Sequence, residues 1–411
     1  MIYFQSLTQT ELAEMLKPLS QVKRRSELTP ETYELKIERR ARYRAKQIFQ
    51  WVYQRFVTDW DEMTDLSKEL RSWLKENIQI YRLNERQSRT ALDGTHKFLW
   101  ELHDGKTIES VIIPAALQEK EDPAGNNPDE ESSESSPAAA SVSHSNVSKA
   151  QERPRRLTAC ISSQVGCAMA CKFCLTGIQG LDRHLKDYEI VTQIFELRKI
   201  APITNIVFMG MGEPLHNLEN VIKACQIFLD QDGFNFSRRK VTVSTSGLVP
   251  AIQELGKRVD VSLAISLNAT TDEQRTRIMP VNKKWKIEDL LDACRNYPLR
   301  SHRRITFEYV LLKDLNDSIE DAARLIKLTS SIPSKINLIP FNEHSGSEFK
   351  RPSDETVRTF QKYLIDRKVT ATVRISRGRD ILAACGQLRS IFGTARGTER
   401  HKDWKSLPVL R

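Results

Sequence analysis

The sequence predicts an α/β fold: a parallel sheet of six β-then-α units, preceded by a small helical bundle and a β-hairpin. Two observations carry this expectation. From residue 157 onward, short β-branched runs alternate with amphipathic segments, and upstream of them bulky apolar residues recur at helical spacing. Repeated strand–helix units need right-handed crossovers, which leaves a sheet either curved into an open barrel or doubly wound. In both, chemistry collects at the C-terminal ends of the strands.

The elements follow in order. Ile48, Trp51, Val52 and Phe56 fall on one helical face, as do Leu66, Leu70, Trp73 and Leu74, so residues 1–96 read as a helical domain. KFLWEL (97–102), the turn HDGK and TIESVIIP (107–114) read as a hairpin. Residues 115–156 almost lack bulky apolar side chains and cannot repay their ordering entropy by burial, so a disordered acidic, Ser-rich insert is expected there. The strands are LTACIS (157–162), TNIVFM (204–209), KVTVSTS (240–246), DVSLAISL (260–267), ITFEYVLL (305–312) and KINLIPF (335–341). Helical segments include 189–200, 287–297 and 317–331. The core is placed at 157–345, with 346–411 as a C-terminal extension.

The 411 residues carry 63 Lys+Arg against 53 Asp+Glu, a net charge of +10. Residues 115–150 hold seven acids against two bases, so the rest of the chain is near +15. A body that basic favours a polyanionic partner, nucleic acid ahead of a membrane surface. No apolar run approaches the ~18 residues that would span a bilayer, and the first residues do not read as a secretory signal. No membrane role and a cytoplasmic location are therefore expected.

Seven cysteines are too few for a disulfide scaffold, yet Cys160, Cys167, Cys171 and Cys174 fall within fifteen residues. Cys167-x-x-x-Cys171-x-x-Cys174 follows the first strand of the core. Three thiolates on one loop can hold three irons of a 4Fe–4S cluster and leave the fourth open to a small ligand. A closed zinc site needs a fourth Cys or His, and Cys160, inside a strand, is poorly placed to supply it. After the second strand comes Gly210-Met211-Gly212-Glu213-Pro214, whose glycines permit close approach and whose carboxylate can receive an ammonium group.

These motifs resemble the radical S-adenosylmethionine superfamily, marked by C-x-x-x-C-x-x-C and a GGEP-like second-strand motif. SSQVGCAMACKFCLTG (162–177), FMGMGEPLHN (208–217), VTVSTSGLVP (241–250), LIPFN (338–342) and SRGRDILAACGQL (376–388) are similar to the RlmN/Cfr family of adenosine methyltransferases. RAKQIFQWVY (44–53) and TIESVIIP are similar to it as well.

The resemblance implies a partial (βα)6 barrel with a helical RNA-binding appendage, in which Arg42, Arg44, Lys46, Arg55, Lys68 and Arg71 can neutralise phosphates. It implies a [4Fe-4S] cluster on Cys167, Cys171 and Cys174, and two S-adenosylmethionine molecules per turnover. Carbon 2 of adenine is electron-poor and cannot attack a sulfonium methyl, which explains the need for a radical route. By resemblance, Cys385 takes a methyl by displacement, a 5′-deoxyadenosyl radical removes a hydrogen from it, and the methylene radical adds to the ring. Cys160 then helps to break the protein–RNA crosslink, leaving a Cys160–Cys385 disulfide to be reduced. Glu109 matches the family's proton acceptor. Gly212, Glu213, Ser244, Ser266, Leu267, Asn268 and Asn342 match positions that hold S-adenosylmethionine; the family usually has His where Asn268 stands. The implied substrates are an adenosine of 23S rRNA and the tRNA adenosine 3′ of the anticodon, flipped into the barrel mouth. The implied partner is an electron-donor protein, flavodoxin-like or ferredoxin-like, and a monomer is expected. Methylation at carbon 8, or a non-catalytic iron–sulfur or zinc RNA-binding protein, are the alternatives. Cys225 and Cys294 match no motif and read as core residues. The insert departs from the family's short linker, and Glu109 keeps its place beside Cys160 only if the insert loops out.

Overall fold

The structure is a computed structural model that describes residues 2–21, 29–115, 156–344 and 347–388. One ten-stranded sheet organises it, and its strands lie side by side in chain order. Three antiparallel strands come first: β1 (Asn84–Thr90), β2 (His96–Glu101) and β3 (Thr107–Pro114). Seven parallel strands follow: β4 (Leu157–Cys160), β5 (Asn205–Phe208), β6 (Val241–Thr245), β7 (Ser262–Ser266), β8 (Ile305–Leu311), β9 (Ser334–Pro340) and β10 (Ala371–Val373). β3 runs antiparallel to β4 and joins the two halves.

All six expected core strands form where the β-branched runs lie. Two strands of this sheet are additional. β1 is polar and exposed throughout, with a register irregularity near Glu85, so it carries no hydrophobic alternation; charged, bulged edge strands of this kind resist edge-to-edge association. β10 has three residues, too few for periodicity to register. The parallel sheet thus runs past 345, and the expected hairpin is the inner part of a three-stranded antiparallel wing.

The helices keep to the same logic. In the N-terminal region are α1 (Gln9–Leu16), α2 (Pro30–Phe49) and α3 (Lys68–Asn77). Thr29 caps α2 by accepting from Thr32 N, with Pro30 in the first turn where its missing N–H costs nothing. Phe4, Phe49, Tyr53 and Phe234 form a chain of ring contacts, so these helices share a core with the barrel. Crossovers between parallel strands are α4 (Asp187–Ile200), α5 (Leu218–Leu229), α6 (Val249–Arg258), α7 (Asp272–Ile278) with α8 (Ile287–Arg295), α9 (Ile319–Thr329) and α10 (Asp354–Ile365). Ser318 and Asp321 make a capping box on α9, and Ser353 caps α10. Cys225 and Cys294 are buried in α5 and α8, as core residues.

The two ends of the sheet are bridged. After β10 the chain returns to the β1–β2 turn: Asp93 Oδ2 accepts from Gly378 N at 2.8 Å, and Asp380 Oδ2 accepts from Leu92 N at 3.1 Å. The strands therefore curve into an open barrel whose gap is covered by the C-terminal segment. Residues 116–155, nearly all of the expected insert, lie outside the described residues. Their flanks meet: Pro114 pairs with Leu157, and Ala115 N donates to Arg156 O at 2.9 Å.

Candidate active site

The cysteine loop begins immediately after a short strand. Residues Gln164–Gly166 pair with Leu181–His184, and Cys167 N donates to Gly180 O at 2.9 Å, so the loop is pinched at its base. A side chain at Gly166 is excluded: φ is +76°, and a Cβ would lie 1.9 Å from Gly180 O. Within the loop Cys174 N donates to Cys171 O, and Lys172 N ties it to Ile278 O at the end of α7.

Cys167, Cys171 and Cys174 line one cavity at the C-terminal ends of the parallel strands. Burial raises all three thiols, and for Cys167 and Cys171 the charge of a neighbouring thiolate raises them further. Such a set is unfavourable as bare thiolates and suits a cationic partner. Among the described residues no three Cys, His, Asp or Glu side chains converge on a point that a single metal ion could occupy. Three thiolates on one loop fit a cubane, in which each binds a different iron, better than a closed zinc site, which needs a fourth ligand.

Six of the seven expected S-adenosylmethionine contacts line the same cavity: Gly212, Glu213, Ser244, Ser266, Asn268 and Asn342. Gly212 has φ +102°, and a Cβ there would press against Gln164 at 2.6 Å. Glu213 is buried, and its carboxylate accepts from Ser246 N (2.8 Å) and Leu215 N (3.0 Å). Burial nevertheless dominates and raises its pKa, a penalty that an ammonium ligand would relieve. Asn342 donates to Cys385 O at 3.3 Å, and its Oδ1 has no partner among the described residues. Asn268 takes a left-handed backbone (φ +57°) and spends its amide on Val310 N and Met279 Sδ. Leu267 is the exception. Its side chain is wholly buried and absent from the cavity wall, so it packs in the core.

Cys385 lies on the C-terminal segment and lines the cavity; the next residue, Gly386, accepts from Leu175 N at 2.8 Å. Cys160 is buried at the end of β4. Burial, then the nearby Cys385 charge, pushes the Cys160 thiol up to about 12. Both cysteines are free thiols. Arg374, just past β10, senses both, and Cys385 foremost holds its guanidinium above the ordinary value.

Glu109 sits on β3 beside β4. Val111 pairs with Cys160, and Ser162 Oγ donates to Glu109 O at 2.6 Å, so the two strands keep the spatial relation expected if the insert loops out. The Glu109 carboxylate is buried and lies 2.9 Å from Lys97 Nζ. It faces a second cavity of about 220 Å³, between the antiparallel wing and Leu382 and Gln387 of the C-terminal segment. That segment separates Glu109 from the cysteine cavity.

Arg374, Glu308 and Lys97 were not singled out from the sequence. Glu308 left one signal, a charge in the middle of an otherwise apolar strand; it is buried and accepts from Asn337 at 2.8 Å. Arg374 and Lys97 left none, because solvated arginines and lysines look the same in sequence.

The barrel, the three-cysteine loop and the glycine–glutamate turn together define a radical S-adenosylmethionine enzyme. A model of the radical SAM superfamily matches residues 161–326, and one of the ribosomal RNA large subunit methyltransferase N-terminal domain matches 34–80. The dual-specificity RNA methyltransferase RlmN of Geobacter sulfurreducens is 51% identical over 348 residues, 85% of this chain and 86% of that protein. Its counterpart in Syntrophotalea carbinolica is 49% identical over 85% of this chain and 84% of its own length. A radical SAM methyltransferase from Sphaerobacter thermophilus shares the fold at TM-score 0.75 and 37% identity, covering 95% of this chain and 99% of that one. The chain belongs to the RlmN family, and with it takes a 4Fe–4S cluster and S-adenosylmethionine.

Proposed function

We propose that this protein methylates carbon 2 of adenosine in 23S rRNA and in tRNA, 3′ of the anticodon, with Cys385 carrying the methyl group. One observation carries the reading: outside the cluster loop, Cys385 lines the cavity of the cluster cysteines, and the buried Cys160 lies near enough to feel its charge. RlmN relatives of nearly full length support the substrate class.

Cys167, Cys171 and Cys174 would hold the cluster, with Gly212, Glu213, Ser244, Ser266, Asn268 and Asn342 around S-adenosylmethionine. When bound, these groups supply the methyl and the radical initiation. The chain's own residues do the rest. Asn342 and Leu175 fix the backbone about Cys385, which lines the cavity. Arg374, whose guanidinium the Cys385 charge holds above its ordinary value, sets a cation near both cysteines. Glu109, in the cavity on the other side of the C-terminal segment, would accept a proton from an adenine adduct. Cys160 is held as a thiol until it attacks the Cys385 sulfur and breaks the sulfur–carbon bond of the RNA crosslink, whose electron pair leaves with the carbon; the disulfide so formed must afterwards be reduced. A cytoplasmic monomer served by a flavodoxin-like or ferredoxin-like donor completes the reading. Seven free cysteines suit a reducing compartment, and no helix among the described residues is long and apolar enough to cross a membrane.

The test is an anaerobic assay of both RNAs, with nucleoside mass spectrometry. 2-Methyladenosine should form with the parent chain and disappear with Cys385→Ala. An 8-methyl product alone, or full activity in the variant, would refute the proposal.

A further inference from the structure

Arg275, on α7, is the largest wholly buried side chain among the described residues. Its guanidinium makes four hydrogen bonds: Nε to Leu267 O (3.1 Å), Nη1 to Asn282 Oδ1 (3.1 Å), and Nη2 to Ser246 O (2.6 Å) and Ser266 O (3.2 Å). All four acceptors are neutral; the Asp272 carboxylate, whose charge it feels, bonds to Asn282 (2.9 Å) and not to the guanidinium. A buried guanidinium stays charged, and an uncompensated buried charge is costly. Arginine is not required merely to tie the loops, since four neutral acceptors could be served by neutral donors.

What lies beside it supplies the reason. Ser246 and Ser266, whose carbonyls it holds, line the cavity of the cluster cysteines. Ile278, one turn along α7, accepts from Lys172 N in the cluster loop. Burial pulls the Arg275 pKa down to about 10, and Cys171 is the foremost group working against that fall. A 4Fe–4S cluster of formal charge +2 on three thiolates carries a net −1, and reduction makes it −2. A fixed cation behind the cavity floor favours the more negative state.

We propose that Arg275 is an electrostatic positioning residue for the cluster, and that its buried charge raises the cluster's reduction potential. The proposal rests on Cys167, Cys171 and Cys174 being the cluster ligands. It extends to the chemistry, because a protein donor must deliver an electron to a site that is harder to reduce without this charge.

The test is a redox titration of the reconstituted cluster, followed by electron paramagnetic resonance, on the full chain and its variants. In Arg275→Gln the reduced-to-oxidised ratio at fixed poise should fall about tenfold, a shift of about 59 mV to more negative potential. Arg275→Lys, which keeps the charge, should stay near the parent value. Asn282→Asp leaves the guanidinium in place and sets a carboxylate against it, at the loss of the amide's donation to Asp272 and Thr276, so it should shift the potential in the same direction as Arg275→Gln; this variant decides the matter if Arg275→Gln does not fold. An unchanged midpoint in whichever of these two loads a cluster overturns the proposal. Failure of the parent chain to assemble a cluster would instead break the ligand assignment on which it rests.

Discussion

Leu267 and Asp93 show how one residue's surroundings decide its task. Leu267 matches a family ligand position, yet its side chain packs wholly in the core. Leu267→Ala should therefore cost about 2–5 kcal/mol of stability, seen as a lowered Tm by calorimetry, with little change in S-adenosylmethionine affinity in the folded fraction. Glu213→Ala should do the reverse, weakening that affinity at least tenfold by isothermal titration of the cluster-loaded protein. Burial acts to raise the Asp93 carboxyl, but donation from Gly378 N and from Thr95 outweighs it and holds the group below the ordinary value. With the folded pKa below the unfolded one, its contribution is present above the unfolded pKa and is lost as pH falls through the folded one. At neutral pH, Asp93→Ala should loosen residues 377–382. Hydrogen exchange there should quicken about fivefold, the loss of ~1 kcal/mol of hydrogen bonding.

Among the elements, strands with a buried face were legible and those without one were not. β4 through β9 lie where β-branched runs announced them, because both faces of a parallel sheet are covered. β1 escaped notice because none of its side chains is buried, and β10 because three residues hold no period. The cluster loop was legible through its cysteine spacing. Its pinched base was not, since that depends on Gly166 meeting Gly180 from across a hairpin. Gly166→Ala, blocked by both φ and the 1.9 Å approach, should open this loop. Iron content after reconstitution should drop severalfold while far-ultraviolet circular dichroism changes little; normal iron loading would show that the pinch is dispensable.

For the molecule as a whole, the site is assembled from distant stretches of chain, and this limits what a sequence alone reveals. Spacing exposes Cys167, Cys171 and Cys174 because they are neighbours. The electrostatic proximity of Cys160, Arg374 and Cys385 depends on tertiary folding, as does the pairing of Lys97 with Glu109. The joined flanks at Ala115 and Arg156 bear on residues 116–155: replacing that stretch with a short Gly-Ser turn should leave Tm within a few degrees of the parent, since loop length contributes to closure entropy only slowly. RNA methylation should persist in that variant.

The bridge between the C-terminal segment and the early part of the chain also sets a schedule. Thr176 donates to Leu388 O at 2.6 Å across 212 residues, and Leu175 to Gly386 O. During synthesis the three cluster cysteines leave the ribosome long before the segment that covers them. Until that segment has been made and has docked, those thiols stand open to iron donors and to oxidants alike.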